Sequence, residues 1–298
     1  MSPTPPDLTA VIVHFETPDL LVRCLEGLRT AREVALETIV IDNASAGFDG
    51  AMVAEHLPGA RIMLNSHNAG FAVAANQGLR VASGRYLLLL NPDTIVRPDT
   101  LSRVVAHLDE EPTVGCATAR LELEDGRLDL ACRRLFPSPA RALYRISLLS
   151  RLLPHSRRFA QYNLTYLPED RVTEIDSPCG AFMMVRSEIR ESVGLLDERY
   201  FMYGEDLDWA FRIKHAGWQV MYYPDAVATH LKRAASSRNR QVTIRAFHEA
   251  MRIFYGQHYQ SRYPRLLSWL VYRGIDMREA IELAAARVSG KTPRGAVA

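Results

Sequence analysis

No Gly-x-Gly-x-x-Gly follows the first apolar run of this 298-residue chain, so the usual dinucleotide-binding turn is missing, which argues against a hydride-transfer enzyme. No His-Glu-x-x-His occurs, and Cys24, Cys116, Cys132 and Cys179 are too scattered to form a Cys-x-x-Cys zinc set. Gly290-Lys291-Thr292 ends like a P-loop but lacks the preceding strand and the earlier glycine. No secretory signal precedes the cysteines, so reduced thiols in a cytoplasmic protein are expected, with Cys24 and Cys116 as small buried residues. No window of about 18 apolar residues exists, which excludes a transmembrane helix and leaves peripheral contact at the inner face of the plasma membrane. The net charge is only +2, too little for the whole-molecule field to argue for nucleic acid. Acid is missing locally instead. Between Asp129 and Glu169 there is none, while Arg133, Arg134, Arg141, Arg145, Arg151, Arg157 and Arg158 all fall inside. A second acid-free stretch carries Lys232, Arg233, Arg238, Arg240 and Arg245. Such stretches read either as solvated faces or as surfaces for anions.

What is present centres on Asn68 to Thr94. A glycine-containing turn leads into a helix, a second turn at Gly84 follows, and Tyr86 to Leu90 is a continuous apolar run of the kind a strand buried on both faces shows. Pro92 cannot donate to a sheet ladder, so it stops the strand and leaves Asn91 and Asp93 at its carboxyl end. In open α/β sheets that edge binds ligands. Upstream, Leu8 to Phe15 reads as a strand, Thr17-Pro18-Asp19 as a helix start, and Glu37 to Ile41 and Arg61 to Leu64 as further strands. Their alternation with helices predicts an α/β protein with a mostly parallel, Rossmann-like sheet covered on both faces. Glu16, Asp42, Asn68 and Asp93 would then share one edge of it. Each alone could be a helix cap or turn former; together they mark a site.

The runs Val11-Ile-Val-His-Phe-Glu16, Ile39-Val-Ile-Asp42-Asn43-Ala-Ser45 and Asn68-Ala-Gly70-Phe71 through Asn76 to Asn91-Pro-Asp93-Thr94 resemble the nucleotide-sugar half of glycosyltransferase family two, which has the GT-A fold. Gly194-Leu-Leu-Asp197-Glu198 through Gly204-Glu205-Asp206-Leu-Asp208-Trp209, with Arg212, Gly217-Trp218, Pro224 and His230, is similar to its acceptor and catalytic half. The likeness is greatest to the bacterial rhamnosyltransferases, which carry Asn-Pro-Asp-Thr and Gly-Glu-Asp in these places.

The resemblance implies a division into residues 1–7 as a disordered N-terminus, 8–231 as the catalytic domain, and 232–298 as a C-terminal helical extension. The catalytic domain divides into a nucleotide-sugar half, 8–120, and an acceptor half, 121–231. In the extension Tyr255, Tyr259, Tyr263, Trp269 and Tyr272 recur at helical spacing as core or interface. It further implies that Phe15, Glu16, Asp42, Asn43, Asn68, Gly70, Phe71, Asn76, Asn91, Gly180 and Ala181 bind substrate. Within that set Asp42 would accept the imide N–H of a uracil or thymine, and Gly180 would let a sugar or diphosphate approach the backbone. Asp93, His230 and Asn91 would hold Mg²⁺ or Mn²⁺, the amide bringing an oxygen but no charge. Asp206-Leu-Asp208 also spaces two acids one residue apart. At a helix start such residues point about 200° away from one another and would rarely share an ion, so Asp206 reads as general base, with Glu205 beside it as a second catalytic residue and Asp208 as a helix-holding acid. One base and one ion suffice for direct displacement with inversion.

The implied partners are a dTDP- or UDP-sugar donor, foremost dTDP-rhamnose, a glycan or lipid-linked glycan acceptor, peripheral membrane contact through residues 130–168, and no nucleic acid. A hexosyl or galactofuranosyl transferase of the same family is the nearest alternative. A sugar-nucleotide nucleotidyltransferase should show a Gly-rich, Arg/Lys-bearing loop after strand one, where His14-Phe15-Glu16-Thr17 stands instead. Asp206 argues against a non-catalytic nucleotide-sugar binding module. The oligomeric state is left open.

Overall fold

A computed structural model describes residues 6–232 and 240–289; residues 1–5, Arg233, Arg238 and Gly290-Lys291-Thr292 lie outside the described residues. Seven consecutive buried residues form β1 (Leu8–His14), and Pro18 opens α1 (Pro18–Arg29) at a position whose N–H has no helical partner anyway. There follow β2 (Leu36–Asp42), α2 (Gly50–His56), β3 (Arg61–Leu64), α3 (Phe71–Val81), β4 (Tyr86–Leu90), β5 (Thr94–Val96), α4 (Thr100–Glu110) and β6 (Val114–Glu122). An irregular stretch then carries α5 (Pro139–Ile146), α6 (Leu149–Leu152) and β7 (Thr173–Glu174). The chain ends with β8 (Phe182–Arg186), α7 (Ile189–Ser192), α8 (Glu205–His215), β9 (Gln219–His230), α9 (Arg240–His258) and α10 (Arg265–Ser289).

One sheet of nine strands runs in the order β3-β2-β1-β4-β8-β6-β9-β5, with β7 added on β9. Its first four strands are parallel, so the ends of β1, β2, β3 and β4 share one edge, as the sequence predicted. Tyr86–Leu90 is buried throughout. β8 then runs antiparallel between β4 and β6, and β9 is parallel to β6 but antiparallel to β5. Helix α3 lies so close on the sheet that a Cβ at Gly78 would come within 2.6 Å of Val11.

Asn76 departs from its expected role in substrate binding. Its side chain is 1% exposed; Nδ2 donates to the Leu196 carbonyl and Glu198, and Oδ1 accepts the Leu196 N–H. Every polar atom is thereby used to clasp α3 to the loop that precedes α8. Asn76→Ala strands both Leu196 backbone groups and is expected to cost about 1–3 kcal/mol, read as a lower denaturant midpoint at unchanged m.

The helical extension is present as α9 and α10, but α9 shares the main core. Phe254 meets Phe136 and Phe211, Gln257 bonds Tyr200 and Asp197, and His258 bonds Asp208. Tyr255, Tyr259, Tyr263 and Tyr272 pack together as expected of core aromatics. Trp269 does not join them; it is 57% exposed.

Candidate active site

At the ends of β1 and β2 a buried network ties two loops together. The Thr17 N–H donates to His14 Nε2 (3.1 Å), so Nδ1 carries the proton and donates to Asp42 Oδ1 (2.8 Å). Asp42 Oδ2 accepts the Ser45 N–H (3.0 Å), and Glu16 Oε1 accepts the Ala46 N–H (2.7 Å). An ionised carboxylate offers about four acceptor sites, so Asp42 keeps capacity for a further donor. Phe15, 44% exposed, stands on the surface of this edge.

Asn43 is spent on the fold. It is buried; its Nδ2 donates to Asn68 Oδ1 (2.9 Å) and the Gly70 carbonyl, while its Oδ1 accepts from Asn65 and the Ala69 N–H. Asn68 Oδ1 also accepts the Gly70 N–H, which shapes the turn before α3. Gly70 itself has φ +88°, and a Cβ there would stand 2.7 Å from the Phe201 carbonyl, which the Phe71 N–H also approaches to 2.7 Å. Gly70 is therefore demanded by packing against the loop before α8, and the Phe71 N–H is already bonded to that loop, which leaves their expected substrate contacts without support.

On the far side of the edge, pairing of β5 with β9 sets Thr94 opposite His230, and the Leu231 N–H donates to the Asp93 carbonyl. His230 Nε2 consequently lies 3.3 Å from Asp93 Oδ1, while Nδ1 bonds Asp129 Oδ2 (2.8 Å). Lys232 Nζ (2.6 Å) and the Ala131 N–H (3.1 Å) hold the other Asp129 oxygen. Burial opposes a charged ring, but the Asp129 bond and the neighbouring Asp93 carboxylate outweigh it and lift His230 to about 9. Asp93 Oδ1 is buried and accepts no hydrogen bond among the described residues. A carboxylate on either side of the ring would suit a divalent ion that displaces the Nε2 proton, with Asp129 as the outer partner of the ligating histidine. Among the described residues no set of three His, Cys, Asp or Glu could hold an ion, so an ion here would draw its further ligands from amide or carbonyl oxygens, water or a substrate. Asn91 is half-buried on the same turn; its N–H donates to the Ala181 carbonyl, and its carbonyl accepts the Thr94 N–H.

Ala181 leads to the third group. The Gly180 N–H donates to Asp206 Oδ2 (3.0 Å), which also accepts Arg134 Nη2 (2.8 Å), and Asp206 Oδ1 accepts the Leu207 N–H (2.8 Å). All three contacts come from N–H donors, so the Asp206 carboxyl is pinned as an acceptor. A Cβ on Gly180 would meet only Asp206, at 3.8 Å, so packing does not demand glycine there. Beside it Glu205 is buried with Oε2 unbonded among the described residues; burial, reinforced by the Asp206 charge, pushes its carboxyl well above the usual range. The two neighbours thus differ in their surroundings: Asp206 is held by three donors, while Glu205 Oε2 has none among the described residues. Asp208 is 0% exposed and bridges Arg212 and His258, holding α8 to itself and to α9 as expected of a helix-holding acid.

Sequence reasoning missed His14, Asp129 and Arg134. Arg134 was hidden among seven arginines of one acid-free stretch, three of which are internal. Arg133 donates to the Leu167 and Pro168 carbonyls, and Arg141 to the Phe136 carbonyl and Gln161. Asp129 carried one signal, as the last acid before that stretch.

Fold and site together define a nucleotide-sugar-dependent glycosyltransferase of the GT-A type. The chain belongs to glycosyltransferase family 2: the family model described as "Glycosyltransferase like family 2" matches residues 5–248. Among curated relatives, the N-acetylglucosaminyl-diphospho-decaprenol L-rhamnosyltransferase of Mycobacterium tuberculosis is 23% identical over 286 residues, covering 91% of each chain. The rhamnosyltransferase WbbL of Escherichia coli is 28% identical over 251 residues, covering 80% of this chain and 87% of its own. Of solved structures, GalNAc-T7 with UDP, GalNAc and Mn²⁺ matches with a TM-score of 0.58 at 16% identity, over 82% of this chain and 48% of that one. TarS of S. aureus matches at 0.53 and 14%, over 80% of this chain and 38% of that one. This chain spans less than half of either, and the likeness to both is one of fold.

Proposed function

We propose that this protein is an inverting, metal-dependent rhamnosyltransferase that moves L-rhamnose from dTDP-rhamnose to a hydroxyl of a lipid-linked glycan in cell-surface polysaccharide assembly. The observation that carries the chemistry is the placement on one sheet edge of Asp206, pinned by Arg134 and Gly180, and of the Asp93–His230–Asp129 relay. The names of the two relatives that match most of their own length support the sugar.

In this reading Asp42 accepts the imide N–H of the base and Phe15 flanks it. Asp93 and His230 would hold Mg²⁺ or Mn²⁺, with diphosphate and water completing the shell and Asn91 on the same turn. Bound there, the ion offsets the charge that develops on the leaving diphosphate. Asp129 keeps the His230 ring oriented with Nε2 toward Asp93. Asp206 removes the proton of the acceptor hydroxyl, which then attacks the anomeric carbon from the face opposite the diphosphate. Gly180 leaves room for the acceptor sugar beside Asp206, and neutral Glu205 can donate a hydrogen bond to it. Four of the seven arginines, Arg145, Arg151, Arg157 and Arg158, are exposed among Leu143, Ile146, Leu148, Leu152 and Leu153, a mixture suited to the leaflet that would hold the acceptor.

A thermal-shift panel of nucleotide sugars tests the donor. A ligand at about 100 times its Kd stabilises by roughly 2.7 kcal/mol, and dTDP-rhamnose with Mg²⁺ or Mn²⁺ is expected to give the largest shift. A larger shift with a UDP-hexose or a UDP-galactofuranose would replace rhamnose as the sugar while leaving the reaction class intact.

A further inference from the structure

The solvent side of α10 has an unusual composition. Its exposed positions are Arg265, Leu266, Trp269, Leu270, Arg273, Gly274, Met277, Ala280, Ile281, Ala284, Ala285 and Arg287, with no acid among them. The acids of the helix are half-buried and paired: Asp276 and Glu279 bridge Arg252 on α9, Asp276 also bridges Arg273, and Glu282 bridges Arg278. Leu266, Trp269, Leu270, Met277 and Ile281 are each more than half exposed. Their spacing places them along one stripe, which at 1.5 Å per residue runs for about 22 Å.

We propose that this face of α10 is a docking surface for an anionic phospholipid leaflet, lying in its interface with the apolar stripe inserted and the arginines toward the phosphates. Three observations favour lipid over a protein partner. The apolar side chains are those of interfacial helices, with an indole among them, and the exposed charges are all basic. Arg273 sits at the midpoint of the stripe, where a two-fold pairing of two copies would set it against itself; among the described residues it bridges Asp276 of its own helix, which is already shared with Arg252. At a bilayer the same side chain extends to the headgroups. Among the described residues no helix is long and apolar enough to cross a membrane, so the contact is peripheral. The inference needs a membrane but not the donor assigned above, and it concerns a different element from the arginines of residues 145–158.

The test uses the full chain and vesicles of phosphatidylglycerol and phosphatidylethanolamine, with pure phosphatidylcholine as the neutral comparison. The wild type is expected to co-sediment with the anionic vesicles and to shift its tryptophan emission to the blue. Trp209 is fully buried and Trp218 half-buried, so the shift reports Trp269 and should vanish in Trp269→Phe, which keeps binding. Trp269→Glu/Met277→Glu should lose at least about tenfold in vesicle partitioning while keeping its Tm and its response to the donor panel. Arg145→Glu/Arg151→Glu/Arg157→Glu/Arg158→Glu is run beside it, so that binding through the other patch is scored separately. Equal partitioning of wild type and the α10 variant, or no vesicle binding by the wild type, overturns the proposal. So does a wild-type dimer, seen by sedimentation velocity, that the α10 variant disperses without change in vesicle binding. A flat donor panel alongside intact vesicle binding would count against the rhamnosyl reading alone.

Discussion

Asp206→Asn is expected to bind the donor normally and to turn over at least about 10²-fold more slowly, the lower end of what a positioned general base contributes. The amide oxygen can still accept from Arg134 and Gly180, so the site should keep its shape. Retaining that acceptor matters because removing one partner of a buried ion pair outright costs about 3–5 kcal/mol. The neighbours act as controls. Glu205→Gln should cost much less turnover, since burial and the Asp206 charge already hold Glu205 neutral. Asp208→Asn should lower Tm through its bridges to Arg212 and His258 and leave kcat near wild type. Steady-state kcat and KM, measured with Tm for all three, separate chemistry from folding. Near-normal turnover in Asp206→Asn with a large loss in Glu205→Gln would transfer the role of base to Glu205.

Chelation of divalent ions is expected to abolish transfer, and Mg²⁺ or Mn²⁺ to restore it. His230→Ala should remove the response by deleting a ligand. Asp129→Asn, which touches no substrate in this reading, should weaken metal affinity by about 10–100-fold, the usual effect of losing a ligand's outer partner. Mn²⁺ titration followed by electron paramagnetic resonance, with nucleoside diphosphate present, reads affinity without relying on turnover. Asp129 also receives Lys232, so its Tm is measured in parallel to isolate the metal effect from lost stability. Full activity in excess chelator would sink the metal assignment and hand the leaving-group charge to basic side chains.

The strand-end edge was legible because its causes are local. A five-residue apolar run closed by Pro92, and three further runs alternating with helical stretches, dictate parallel strands whatever surrounds them. Asp42, Asp93, Asp206 and His230 were legible from their motifs, and all four are found at that edge or against it. The amides and the glycine at Asn43, Asn76 and Gly70 looked the same in sequence as ligand-binding residues would. Only the folded chain reveals that their hydrogen bonds, or the space a Cβ would need, are already taken. The same holds for Trp269, whose helical spacing matches that of the packed tyrosines.

Arg134 reaches Asp206 across 72 residues, and Asp129 reaches His230 across 101. No periodicity or short motif encodes such pairs. They depend on β9 running beside both β6 and β5 and on the irregular stretch after β6 folding back under the sheet edge. The sequence by itself determined the α/β alternation, the ligand-binding edge and the acids placed on it, because strand periodicity and proline act over a few residues. Which acid is pinned by donors, which is left buried without one, and which histidine nitrogen faces Asp93 were decided by the tertiary structure alone, because burial and hydrogen-bond partners are properties of neighbours that the fold, not the chain order, brings together.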